Sequence, residues 1–268
     1  MIILEIKDIE LKKLIGEAQK FRIYLGEKDN GEQFIVKIAN SFDDGAVLAE
    51  EAKFFMKLTS FQEELADIEA RLQLEKSRYD LLFAKLSASY LATANDLSRV
   101  NAFEIPETNL NEVAPLAKFF HEIEIDARSS VWLLGRFFKF YCFTENIRFA
   151  NGETAVEYPI FSADDYLIGP KNHRLVYYNY SGSTLDVLAN DYIKKITKFI
   201  SEWTVFKDDD EAEAKYHRLL DDFATNGRKT AEDAHRELYE LVKEIWGIHY
   251  YPFTYRERGT IIWKNVKD

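Results

Sequence analysis

This chain has little of several residues that define whole classes of protein. It contains one cysteine, Cys142, so it forms no internal disulfide and nothing points to an oxidising compartment. Five prolines and 11 glycines in 268 residues exclude a collagen-like or low-complexity chain. Basic residues are the minority, 35 Lys+Arg against 46 Asp+Glu, for a formal charge of −11. That balance excludes nucleic acid as the main partner and disfavours an anionic membrane surface, since both are held through Lys and Arg. No run approaches the ~18 consecutive apolar residues of a membrane-spanning helix. The opening MIILEIKDIELKK is broken by Glu5, Lys7 and Asp8, with no small-residue cleavage site after it, so it is not read as a signal peptide. A cytoplasmic protein is expected.

What the chain does have is apolar and aromatic residues, 47% and 15%, too many for a disordered chain. Its length suits one large domain or two smaller lobes. LKKLIGEA, KFRIYLGE and EQFIVKIA are short, rich in Ile, Val, Phe and Tyr, and bounded by turn residues, which predicts three antiparallel strands. Asp29-Asn30-Gly31 is a hairpin signal. A helix follows, capped by Asp43 or Asp44, with Val47, Leu48, Phe54, Phe55 and Leu58 apolar. A second, charged helix is expected over 61–83. SASYLATA and SRVNAFEI read as two further strands, turning at Asn95-Asp96 and ended by Pro106.

Beyond Pro106 the pattern is mostly helical. A connector over 107–130 holds a short helix around Val113 to Phe120. A core helix over 130–145 carries Val131, Leu134, Phe138, Tyr141 and Cys142. YLIG and RLVYY form a hairpin within 166–178, around Pro170 to His173. Three helical faces follow: Ile193, Ile196, Phe199, Ile200 and Trp203; Tyr216, Leu219, Leu220 and Phe223; Leu238, Leu241, Val242 and Ile245. KDDDEAEA at 207–214 is expected to be an exposed acidic loop. None of the five histidines makes a metal-binding pair, no nucleophile elbow is present, and YSGST at 180–184 reads as a loop.

This order of elements resembles the protein-kinase-like fold. The class is α+β and two-lobed. An N-lobe over 1–106 has a small antiparallel sheet, one main helix and an inserted helix; a larger helical C-lobe over 107–268 embeds the hairpin. Lys37, ending FIVKI, sits where kinases place the lysine that grips nucleotide phosphates, and Glu51 sits where its partner glutamate lies. Two readings stay open for this pair: a nucleotide grip, or a purely structural ion pair. Gly16 aligns with the first glycine of the phosphate loop, and Glu104 and Ile105 with the hinge, so the resemblance makes these a possible nucleotide site.

The catalytic positions are degraded. In the glycine loop only Gly16 survives, Phe21 takes the third glycine position, and Glu17 adds a negative charge that Lys20 and Arg22 could offset. The catalytic-loop His aligns with Tyr158, the base with Ile160 and the metal-binding Asn with Asp165. Asp164 and Asp165 are displaced from the base position and also read as turn residues. The metal aspartate aligns with Asn179, followed by Tyr180. Asn179 and Asp165 are thus weak metal candidates at most, since an amide lacks the charge of a strong site.

Asp191 sits where kinases tether the catalytic loop. Asp233-Ala234 and Gly247 to Thr254 resemble the end of a group of bacterial kinase-like proteins that tend to lack the catalytic aspartate. The aromatic set Trp246, Tyr250, Tyr251, Phe253 and Tyr255 reads as C-terminal packing. The resemblance implies a pseudokinase, a scaffold or regulatory partner of another protein, with no required cofactor and with metal-independent binding of ATP or another nucleotide left open. The alternatives are an atypical transferase using Asp164 or Asp165, and a structural module whose cleft is filled by Phe21 and Tyr180. The acidic 207–214 segment and the charged 61–83 stretch are candidate contact surfaces, weighed against simple solvated faces.

Overall fold

A computed structural model describes residues 8–74, 78–92, 98–105, 108–150, 161–180, 189–247, 254–258 and 264–265. The chain divides into two units: Met1–Val113 with Val176–Gly182, and Ala114–Leu175 with Ser183–Asp268. The division falls after Val113 and not at 106, because Leu110 is buried and its N–H donates to Gln33 Oε1 at 2.8 Å, holding the connector to the first unit.

The first unit is built on five antiparallel strands: β1 (Ile9–Glu17), β2 (Phe21–Lys28), β3 (Gln33–Ala39), β4 (Lys85–Leu91) and β5 (Arg99–Glu104), in the order β1-β2-β3-β5-β4. The β2–β3 hairpin closes as the sequence predicts. Gly31 takes φ +85°, which glycine adopts without a Cβ clash, and its N–H donates to Lys28 O at 2.9 Å. β3 is buried on both faces, so it reads as a continuous apolar run and not as an alternation. One face holds Phe34, Val36 and Ile38 in a cluster with Ile9, Val100 and Ala102. Irregular register in β1 and β4 marks bulges that bend these edge strands, which bring Leu11, Ala88 and Tyr90 onto the same cluster.

Helix α1 (Gly45–Arg71) runs unbroken for 27 residues. The expected separate helix over 61–83 is therefore corrected. Nothing between Leu58 and Phe61 breaks the helix: no glycine or proline intervenes, and the Thr59 hydroxyl donates back to Phe55 O at 3.0 Å. The apolar spacing continues through Phe55, Leu58 and Phe61, all buried. The helix stops where Gln73 takes φ +55° and the Leu74 N–H returns to Glu69 O. Tyr79–Leu81 form a single 3₁₀ turn, and Phe83 makes a parallel bridge to Tyr177.

The second unit contains β6 (Ala114–Pro115), α2 (Leu116–Glu122), β7 (Ile123–Asp126), α3 (Ala127–Ala150), β8 (Tyr166–Gly169), β9 (Arg174–Tyr177, which leaves this unit at Val176), α4 (Ala189–Glu202), β10 (Thr204–Val205), α5 (Glu211–Asn226), α6 (Ala231–Trp246), β11 (Thr254–Glu257) and β12 (Lys264–Asn265). α3 anchors the helices. Its Tyr141 ring stacks on Tyr192 of α4 at 4.1 Å, and Phe138 meets Phe223 of α5 edge-on at 5.8 Å. Glu145 accepts from the Tyr192 hydroxyl and, at 3.0 Å, from the Ala231 N–H that opens α6. The 207–214 segment is not a loop throughout. Asp210 caps α5 by accepting from Ala212 and Glu213 N–H groups, and Glu213 is buried. Thr230 caps α6: its Oγ1 accepts from the Asp233 N–H at 3.1 Å, and its hydroxyl donates to Asp233 Oδ2 at 2.9 Å. A four-stranded sheet, β10-β7-β11-β12, lies outside the sequence expectation. Among the described residues no helix is long and apolar enough to cross a membrane.

Candidate functional site

The β-sheet register sets the site. Lys37 on β3 lies opposite Ile23 on β2 and Asn101 on β5, so the lysine and the asparagine share one sheet face. On α1, Glu51 is four residues before Phe55 and three after Leu48, so helical spacing places it on the same buried stripe. The two meet: Lys37 and Glu51 form an ion pair with both side chains 0% exposed.

That pair is the centre of a closed polar cluster. Lys37 Nζ also donates to the Tyr178 carbonyl at 2.8 Å and to Asn179 Oδ1 at 2.7 Å. An ammonium has three N–H donors, and these three acceptors engage them all. Glu51 Oε1 accepts in addition from the Tyr180 N–H at 3.1 Å, and Glu51 Oε2 from Asn101 Nδ2 at 3.1 Å. Asn101 Nδ2 also donates to Leu48 O at 2.7 Å. The rings of Phe21, Phe103 and Tyr178 lie 5.6, 5.2 and 5.3 Å from the ammonium, near enough for cation–π attraction. Phe54 stacks on Tyr180 at 4.6 Å, and Phe55 on Tyr177 at 5.7 Å. The segment 177–180 is thereby fastened to both α1 and β3 within the first unit.

The other expected site residues fall differently. Gly16 lies inside β1 opposite Ile23, not in a loop; a Cβ there would meet Ile23 Cδ1 at 3.4 Å, an ordinary contact. The β1–β2 turn is short, closed by Ala18 N–H to Phe21 O at 2.9 Å, and Asn40 braces it by donating to Lys20 O and Gln19 O. β1 continues to Glu17 and leaves three residues to reverse the chain, the short turn that a stretch with a single surviving glycine allows. Glu104 ends β5 opposite Lys85, exposed, and Ile105 is buried beside it in sequence. Asp164 and Asp165 belong to the second unit, in a 3₁₀ turn capped by Ser162, with Asp165 buried. Asp191 lies in the first turn of α4. Ile160 and Tyr158 lie outside the described residues, as do Tyr250, Tyr251 and Phe253. Cys142 is half-buried, and that burial pushes its thiol up to about 12.

The fit to a divalent cation is poor at Asn179. Its side-chain oxygen accepts from the Lys37 ammonium, and the position supplies no carboxylate of its own. Among the described residues no group of three or more His, Cys, Asp and Glu side chains is gathered as a metal site.

Asn101 was not singled out from sequence, although it joins the cluster. Its signal was present: asparagine is depleted in strands, and one flanked by Val100 and Ala102 in a buried strand needs a partner. The Tyr178 and Tyr180 backbone contacts left no side-chain signature to read.

The chain has a protein-kinase-like fold, shown by comparison with solved structures. It is similar to a pseudokinase solved in its apo state, at TM-score 0.54 and 12% identity over 86% of this chain and 91% of that one. It is also similar to the pseudokinase drought responsive inactive kinase 1 bound to ENMD-2076 (TM-score 0.49, 11% identity, 86% and 90% covered) and to the PknI kinase domain of Mycobacterium tuberculosis (0.47, 7%, 88% and 96%). No family model and no curated protein matches the chain.

Proposed function

We propose that this protein is a pseudokinase: a kinase-fold protein without phosphotransfer that serves as a scaffold or regulatory partner of another protein. The observation that carries the reading is the closed state of Lys37, whose three donors are spent on Glu51, Tyr178 O and Asn179. A phosphate could reach this ammonium only by displacing one of those acceptors from a buried site, which costs the desolvation of the group left behind. Phosphoryl transfer depends mainly on charge neutralisation by metal and lysine. Here Asn179 stands in the metal position and turns its oxygen to the lysine, and the resemblance sets Ile160 in the base position. The apo neighbour that shares the fold is itself named a pseudokinase. The pair Lys37–Glu51 then holds α1, β3 and 177–180 together, and no cofactor is part of the reading.

The test is thermal melting with millimolar ATP, ADP or GTP, each with and without Mg²⁺ or Mn²⁺, beside a phosphotransfer assay. A ligand that binds only the folded state raises the midpoint by mass action. The expected outcome is no metal-dependent shift and no transfer. Divalent-dependent turnover abolished by Asp165→Ala would overturn it in favour of the atypical transferase.

A further inference from the structure

Helices α5 and α6 run antiparallel on either side of the short turn at 227–230, and their side-chain bonds fix the register. Lys215 donates to Glu244 at 3.2 Å near one end, and Arg228 holds Asp222 and Glu237 together near the other. Residues 218–219 are therefore level with 240–241. Between the helices runs a groove of about 540 Å³, floored by the half-buried Leu219 and Leu241. Its two walls differ in charge. The α6 wall carries only acid, Glu237, Glu240 and Glu244, whereas the α5 wall carries Lys215 and Arg218 before Asp222. Arg218 and Glu240 are exposed and level with each other, yet neither takes part in an ion pair or hydrogen bond among the described residues.

We infer that this groove is a symmetric interface at which the chain pairs with a second copy of itself. Charge selects that occupant. A helix carrying one sign of charge meets a like charge on one wall, whichever sign it has. The occupant must bring acid to the α5 wall and base to the α6 wall, and the two helices of a second copy do so. A half-turn about the groove axis lays α6 of the second copy on α5 of the first and keeps every residue at its level along the groove. Arg218 of each copy then meets Glu240 of the other, and Lys215 meets Glu244, over the joined leucine floors. At the remaining end Asp222 faces Glu237 of the other copy, and each of these carboxylates keeps its own Arg228. The formal charge of −11 opposes pairing only at long range, and ~0.15 M salt screens it beyond about 8 Å. Two 16-residue helices side by side offer a face about 24 Å long and about 20 Å wide, so a dimer buries roughly 1,000 Å² in all, the size of a weak, concentration-dependent association. The inference goes beyond the pseudokinase reading and does not rest on it.

The test is sedimentation velocity of the full chain at that ionic strength, from micromolar to near-millimolar concentration. The parent shows a reversible monomer–dimer equilibrium. Arg218→Glu and Glu240→Arg each set like charges against each other at two symmetry-related contacts, so each weakens pairing about tenfold or more. Both positions are exposed, so the urea midpoints change little and the loss is not one of folding. An equimolar mixture of the two variants is the decisive arm. In the mixed pair one copy carries acid at both positions and the other carries base at both, so every contact is attractive again. The mixture regains the dimer that neither variant forms alone, a result that no repair within one chain produces. A parent that stays monomeric throughout overturns the inference. So does a dimer that both single variants leave unchanged, or a mixture no more associated than its two parts.

Discussion

Replacing Lys37 with methionine tests the central cluster most directly. The substitution keeps the length of the side chain and removes its charge and three donors. Glu51 is left as a buried carboxylate with only the Tyr180 and Asn101 N–H groups, and Tyr178 O and Asn179 Oδ1 each lose a donor. Removing one partner of a fully buried pair costs about 3–5 kcal/mol, because the remaining charge has no compensating solvent. That is a large share of the ~5–15 kcal/mol that holds a domain together. Glu51→Gln in the same background removes the stranded charge and keeps an amide oxygen for the Tyr180 or Asn101 N–H. The double variant Lys37→Met/Glu51→Gln is therefore more stable than Lys37→Met alone by about 1–2 kcal/mol, although it carries one more substitution. Urea titration followed by far-UV circular dichroism reads both as midpoints. A Lys37→Met midpoint equal to that of the parent, or a double variant less stable than the single, would refute the argument that the lysine is there for structure.

Three further outcomes follow from the described contacts. Gly26→Ala puts a Cβ 2.5 Å from Ile9 Cγ2 and 3.0 Å from Val36 Cγ2, so it lowers stability by about 1–3 kcal/mol; an unchanged melting temperature would mean that β1 does not press on β2 there. Cys142, its thiol raised to about 12, reacts with Ellman's reagent at pH 8 only as the protein unfolds, while urea exposes it at once; immediate labelling of the native protein refutes its burial. Burial raises the Glu145 carboxyl above its usual 4.5, against the pull of the Tyr192 hydroxyl and the Ala231 N–H. The folded state then holds this proton more tightly than the unfolded chain. Its contribution is fully present below pH 4.5 and is lost as pH rises through the folded value. Relative to wild type, Glu145→Gln accordingly gains stability at pH 7 compared with pH 5, and equal midpoint differences at the two values would count against it.

The sheet and the Lys37–Glu51 pair were legible because their signals are local. Short runs rich in Ile, Val, Phe and Tyr, an Asn-Gly turn and a lysine–glutamate spacing across a strand and helix survive in a single sequence. What closes around Lys37 was less legible. Phe21 read as a lost glycine and proved to be a ring beside the ammonium. Asn179 read as a weakened metal ligand and proved to be a partner of the lysine, a contact across 142 positions that no window of sequence contains. The break expected near residue 61 failed for a different reason. Glutamates marked a change in surface, but helix continuity depends on backbone breakers, and none is there. Gly16 read as the lone survivor of a degraded glycine loop, and it lies inside β1 opposite Ile23.

The membership of Val176–Gly182 in the first unit has a consequence for how the protein is made. The lysine, the glutamate and the asparagine of the cluster are translated early, whereas the acceptors that complete it arrive only with Tyr178 and Asn179. At ~5–20 residues per second, the sheet waits on the order of several seconds on the ribosome with a charged pair in its interior only partly satisfied. A fragment cut at Val113 is frozen at that stage. It holds every strand of the sheet and still lacks the residues that let its core close.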